Sequence, residues 1–154
     1  MKLLPRPKRI REQQGVYELG FQSVIVIDET ICENGTTYAV ILQDSLKKST
    51  GIECTFIKGK SRTGDIYLTV RPELHEQEYC LNVAEDGIVI AGGDGAAVLY
   101  GVWTLCQLAA QYGGMLPCME IEDAPDVMHR GYFLDETRGR VLTLPSLKKV
   151  VDQI

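Results

Sequence analysis

The chain is poor in the residues that most metal and redox chemistry needs. Its 154 residues include two histidines, His75 and His129, and one tryptophan, Trp103. Two isolated histidines do not make a metal site, and both are expected at the surface or in a satisfied hydrogen bond. The five cysteines, Cys32, Cys54, Cys80, Cys106 and Cys118, form no C-x-x-C pair, which argues against a zinc or thioredoxin-like site. An odd number of cysteines scattered among apolar residues reads as buried free thiols in a reducing compartment, so a cytoplasmic location is expected. No apolar run approaches the ~20 residues of a membrane span. Met1–Pro7 carries no apolar core of a secretory leader. Basic residues are outnumbered, 16 Lys and Arg against 21 Asp and Glu, for a net charge of -5. That balance argues against a nucleic-acid partner, which needs a basic face. The one basic cluster, Arg6, Lys8, Arg9 and Arg11, reads as a solvated strand edge. No cofactor is implied.

What is present is an ordinary globular pattern, 45% hydrophobic and 24% charged, long enough for one domain with a real core. Residues 16–20 and 24–27 read as short strands. A helix is predicted over Thr36–Lys48, with Tyr38, Ile41, Leu42, Ser45 and Leu46 on one face. Asn34 or Thr36 is the candidate cap, and Gly51 the stop. Alternating patterns at Ile52, Cys54 and Phe56, at Ile66, Leu68 and Val70, and at Tyr79, Leu81 and Val83 predict three strands, and Ile88–Ala91 a fourth. Asp86-Gly87 between the last two has the composition of a type I′ hairpin turn. A helix from Ala96 to Gln111 is apolar on most sides and therefore expected to be largely buried. A short strand, Met115–Ile121, follows. This order predicts an α+β fold, a mixed and mostly antiparallel sheet with two helices packed on one face. Glu122-Asp123-Ala124-Pro125-Asp126 reads as a linker. Beyond it, Gly131–Leu134 reads as a strand and Leu147–Ile154 as a helix opened by Leu144-Pro145-Ser146. One such β-α unit cannot bury its own faces, so more chain is expected after it.

Two motifs carry possible chemistry. The turn Gly92-Gly93-Asp94-Gly95 joins a strand to a helix, the layout that cradles phosphate on backbone N–H groups. It lacks the third glycine of the dinucleotide fingerprint, but it resembles the Gly-Gly-Asp-Gly signature of NAD kinases and diacylglycerol kinases. The plainer reading is a tight turn with Asp94 as the helix N-cap. The second motif is His129-Arg130-Gly131-Tyr132-Phe133-Leu134-Asp135-Glu136-Thr137-Arg138, an arginine leading a strand that ends in an acidic cluster. Arginine suits fork-like hydrogen bonding of neighbouring oxygens, sugar hydroxyls included. Ordinary ion pairs among Arg130, Asp135, Glu136, Arg138 and Arg140 account for the same pattern. Asp135 and Glu136 are neighbours, and on a strand neighbours point to opposite faces, so they are not a glycosidase pair.

Several stretches, taken in order, resemble family 20 glycoside hydrolases. Leu3-Leu4-Pro5-Arg6-Pro7 is similar to the family's proline-rich first strand. Gly95–Leu108 (GAAVLYGVWTLCQL) resembles its G-A-x-Y-G-x-x-T-L-x-Q-L helix. Asp123-Ala124-Pro125 matches its linker, and Arg130-Gly131 with Leu134-Asp135 and Arg138 resembles its R-G-x-x-L-D-x-x-R entry into a catalytic barrel. Gly139-Arg140-Val141 departs from the aromatic and bulky residues that follow in the family. The resemblance implies an accessory α+β domain over residues 1–122. It makes residues 123–154 the linker and start of an incomplete (β/α)8 barrel. It implies a parent β-N-acetylhexosaminidase that removes terminal N-acetylhexosamine from glycans, with the substrate's acetamido group as nucleophile. No catalytic residue lies in this chain on that reading, since the family's Asp-Glu pair follows a later barrel strand. Arg130 matches the arginine that binds hydroxyls of the terminal sugar; from the start of its strand it would have to reach into the barrel. A nucleotide-phosphate-binding kinase-like domain using Gly92–Gly95, and a pure interaction module, are the competing readings.

Overall fold

A computed structural model describes residues 1–31, 33–135, 139 and 141–151. One seven-stranded mixed sheet organises the chain. Its strands are β1 (Arg9–Glu18), β2 (Val24–Ile27), β3 (Thr55–Lys58), β4 (Ile66–Val70), β5 (Tyr79–Ala84), β6 (Gly87–Gly92) and β7 (Met115–Asp123). In space the order is β1-β7-β5-β6-β4-β2-β3. Helices α1 (Gly35–Thr50) and α2 (Gly95–Tyr112) lie side by side and share one core with the sheet. A third helix, α3 (Leu144–Val151), buries no residue.

The register explains the core. Because side chains alternate across a strand, pairing lines up one row of large apolar residues, Ile27, Leu68, Ile90, Leu81 and Ile121, and a second, Ile25, Ile66, Ile88, Val83 and Met119. All ten are at most 1% exposed. Leu42 and Leu46 of α1 and Val98, Val102, Leu105 and Leu108 of α2 belong to the same core. The opposite face of the sheet is polar toward the β1 edge, where Arg9 and Arg11 pair with Glu122 and Glu120 at 2.9 Å each. Arg9 and Arg11 of the basic cluster do therefore sit on a solvated strand edge, whereas Arg6 and Lys8 precede the strand. Lys8 adds a further ion pair to Asp126 at 2.8 Å.

The sheet is not mostly antiparallel. β1–β7, β5–β7 and β5–β6 pair antiparallel, while β2–β3, β2–β4 and β4–β6 pair parallel. The reason lies in connections: α1 sits between β2 and β3, and a helical crossover returns the chain in the same direction. The short link from β3 to β4 does not make a hairpin either, because β2 lies between them. The β5–β6 hairpin forms as expected, but its two-residue loop is Glu85-Asp86, since Ala84 pairs with Gly87. Positive φ falls on Gly87 (152°) and not on Asp86. Only the residue without a Cβ takes the left-handed backbone, so this is not the type I′ turn of the pattern.

Other boundaries shift for local reasons. β1 starts at Arg9, well before residue 16, because its polar half pairs with β7 in an exposed edge that leaves no hydrophobic alternation to read. α1 starts at Gly35, and Asn34 precedes it with φ 60° and no side-chain capping bond, so neither Asn34 nor Thr36 caps it through a side chain. Gly51 ends it in the left-handed region, φ 78°, as expected. Gly131–Leu134 is not a strand but lacks regular structure. A strand needs a neighbour to satisfy its backbone, and none of the seven described strands pairs with it. The last helix begins at Leu144 rather than Leu147, and its predicted end, Asp152–Ile154, lies outside the described residues.

Candidate functional site

A groove of about 760 Å³ lies beside α2. Its floor is α2, through Tyr100, Trp103, Thr104 and Gln107; its walls are the N-terminal Leu4–Arg6 and the segment Asp123–Val127 with Arg130. The N-terminal wall is held by two side-chain amides one helical turn apart, which face the same way. Gln111 accepts from Lys2 N–H (2.8 Å) and donates to its carbonyl (2.7 Å); Gln107 does the same for Leu4 at 2.9 Å each. Trp103, expected inside a largely buried helix, is instead 49% exposed on the groove floor. Its ring lies 5.9 Å from that of Tyr100.

Arg130 closes one end of the groove. Its guanidinium donates to the Gln77 side-chain carbonyl at 3.0 Å, the Tyr100 hydroxyl at 2.8 Å, and the Val127 backbone carbonyl. It also lies 5.6 Å from the centre of the Tyr100 ring, within cation–π range. Gln77 donates in turn to the Met128 carbonyl at 3.1 Å. The arginine singled out in the sequence is thus turned onto the α2 face, with both terminal nitrogens engaged. Gln77 had no sequence signal. It has φ 62°, which for a residue with a Cβ costs about 1–2 kcal/mol.

The glycine-rich turn explains that backbone. Asp94 caps α2 through Oδ1, accepting from Ala97 N–H at 2.7 Å, and its Oδ2 accepts from Gln77 N–H at 3.1 Å. Gly93 N–H donates to the Glu78 carbonyl at 2.9 Å. A Cβ on Gly93 would collide with the His75 carbonyl. The loop between β4 and β5 therefore packs onto the turn where a phosphate would have to sit, and the Gly93 and Ala97 N–H groups are engaged by protein acceptors. Asp94 is the N-cap, as the plainer reading expected, and a phosphate cradle is not favoured.

The remaining candidates do not gather. His75 and His129 are both exposed. Cys54 and Cys118 are buried, Cys80 and Cys106 partly so, and all four are free thiols; burial pushes each of them up from the usual thiol range. Cys32 lies outside the described residues. Asp135 is exposed, while Glu136, Arg138 and Arg140 of the acidic-basic cluster lie outside the described residues.

A seven-stranded mixed sheet that shares one core with two helices defines an α+β module. Residues 1–124 match the family model described as glycosyl hydrolase family 20, domain 2. The chain belongs to that family. It is 27% identical to a β-hexosaminidase of Porphyromonas gingivalis over 164 aligned residues, covering 99% of this chain and 21% of the relative. It is 26% identical to a β-hexosaminidase of Vibrio furnissii, covering 100% of this chain and 24% of the relative. Among solved structures, the GH20 β-N-acetylhexosaminidase of Streptomyces coelicolor A3(2) superposes with a TM-score of 0.77 at 24% identity, over 96% of this chain and 31% of that one. The chain spans about a fifth to a quarter of the length of these curated relatives.

Proposed function

We propose that this chain is the non-catalytic front part of a β-N-acetylhexosaminidase-type glycosidase. Residues 1–122 form its accessory domain, and residues 123–154 the linker and entry of the catalytic barrel. What carries the reading is the match of residues 1–124 to the family's domain 2, together with hexosaminidase relatives that align across essentially the whole chain. The parent acts on glycans ending in N-acetylhexosamine by substrate-assisted hydrolysis, and its acid/base glutamate and orienting aspartate are supplied outside this chain. Arg130 is the residue here that binds substrate. To do so it exchanges the Gln77 and Tyr100 oxygens for sugar hydroxyls, acceptors of the same kind and geometry.

The test is hydrolysis of 4-nitrophenyl N-acetyl-β-D-glucosaminide. The 154-residue polypeptide is expected to release no nitrophenol, and the longest product of the same reading frame is expected to turn over. Hydrolysis by the 154-residue polypeptide overturns the assignment of catalysis elsewhere. An inert longer product, correctly folded, overturns the hexosaminidase reading.

A further inference from the structure

The glycine-rich turn makes contacts with two other parts of the fold. Gly93 lacks the Cβ that would strike the His75 carbonyl, so the 74–78 loop lies directly on the turn. Asp94 divides its two oxygens, one for the α2 N-terminus and one for Gln77 N–H. That second bond holds Gln77 in the left-handed region at φ 62°, and so aims its side-chain amide at the chain that leaves β7. The amide is used at both ends: Nε2 donates to the Met128 carbonyl at 3.1 Å, and Oε1 accepts from Arg130 at 3.0 Å. Tyr100, on the second turn of the helix that Asp94 caps, completes the grip with its hydroxyl and its ring.

We infer that Gln77 is a positioning residue: with Asp94 and Tyr100 it forms a clasp that docks segment 127–130, and Arg130 in particular, on the α2 face. The glycine turn exists to build this clasp. The inference deepens the proposed function, on which it rests for its meaning, by giving the front domain a task, namely setting the place and direction from which the chain enters the catalytic domain. A carboxamide suits the task because it offers a donor and an acceptor on one rigid plane. Gln77 shares the Asp94 carboxylate with the helix cap, so the segment is tied to the start of α2.

The clasp can be read in the 154-residue chain itself, whether or not any longer product hydrolyses a glycoside. Trypsin must take the Arg130 side chain into its own pocket, and the clasp holds that side chain. Cleavage after Arg130 therefore reports the released fraction, and cleavage after Lys60, in an exposed irregular stretch, is the internal control. The informative variant is Gln77→Gly, which removes the amide but favours the left-handed backbone. We expect the rate ratio of the Arg130 cut to the Lys60 cut to rise on the order of tenfold, the factor equivalent to about 1.4 kcal/mol of holding energy. The melting temperature should hold or rise. Tyr100→Phe, which keeps the ring, should give a smaller rise. Gln77→Glu, which keeps an acceptor for Arg130 but loses the donor to the Met128 carbonyl, should give a rise smaller than that of Gln77→Gly. An unchanged ratio in Gln77→Gly overturns the clasp, and so does an equal acceleration at both sites, which would mean general loosening.

Discussion

The core of the body up to Asp123 and the segment after it use apolar residues to opposite effect. In the body, Ile25, Leu42, Ile66, Leu81, Ile90 and Leu105 are 0% exposed. After it, Phe133 is 88% exposed, Tyr132 63%, Leu144 66% and Val151 69%. The residue types are alike; what differs is whether a facing row exists. Strand register gives the inward residues of the central strands a neighbour on the next strand, in one core with the two helices. The later segment has an amphipathic helix and a run of large side chains with no layer opposite among the described residues, and a layer is what burial requires. Apolar pattern therefore states what a segment needs, and topology decides whether the need is met.

The largest expected effect tests that difference directly. Leu81→Ala removes a side chain packed between Ile90 and Ile121 and should cost about 2–5 kcal/mol in urea unfolding of the 154-residue chain. Phe133→Ala, although it deletes more atoms, should stay within about 0.5 kcal/mol. A comparable cost for Phe133 would break the comparison and show that the segment is packed in solution.

Next in size come the two residues that join the regions' shared floor. Gly93→Ala forces a Cβ against the His75 carbonyl, a backbone atom with no freedom to rotate away. The cost should be about 1–3 kcal/mol, as for other overpacked sites. Asp94→Ala loses the α2 cap and the bond to Gln77 N–H and should cost about 1–2 kcal/mol. Denaturant midpoints of both variants check these values. The order would be reversed if the 74–78 loop gives way freely, which would also mean that the loop is a poor foundation for the clasp.

How much of this was legible in the sequence follows from the range of the interactions. Elements governed by neighbours along the chain were readable: the helical face of Tyr38, Leu42 and Leu46, the stop at Gly51, the alternating Tyr79, Leu81 and Val83, and the cap by Asp94. Elements governed by distant partners were not. The polar half of β1 is a strand only because β7 runs beside it, and the parallel pairing of β4 with β2 and β6 is a property of order in space. Arg130 was legible as a candidate through its motif, but its partners were not. Gln77 is one glutamine in a polar loop, and its left-handed backbone arises from Asp94, 17 residues away. Trp103 lay on a helix that is apolar nearly all round, so nothing in the sequence marked it as the side chain left open.

The smallest effect separates the regions by proton uptake, since all four described cysteines lie in the body. Cys54 is the cleanest case: it is 0% exposed, and burial alone pushes its thiol up. A thiol whose folded value is raised binds its proton more tightly in the native state than in the unfolded one. Its contribution to stability is then complete below the unfolded value, about 8.5, and is lost as pH rises from there toward the folded value. Between pH 8 and 9 the loss from one such thiol stays below about 1 kcal/mol. Tyr79, buried and pushed up to about 12, adds nothing to this window and begins to matter only above its ordinary value near 10. Urea midpoints measured from pH 7 to 9.5 should therefore decline gently for the wild type and more gently for Cys54→Ala, whatever that variant's baseline stability. Phe133→Ala should track the wild-type slope. Identical slopes for wild type and Cys54→Ala would mean that the Cys54 thiol ionises as readily in the native chain as in the unfolded one, and that water reaches the layer between α1 and the sheet.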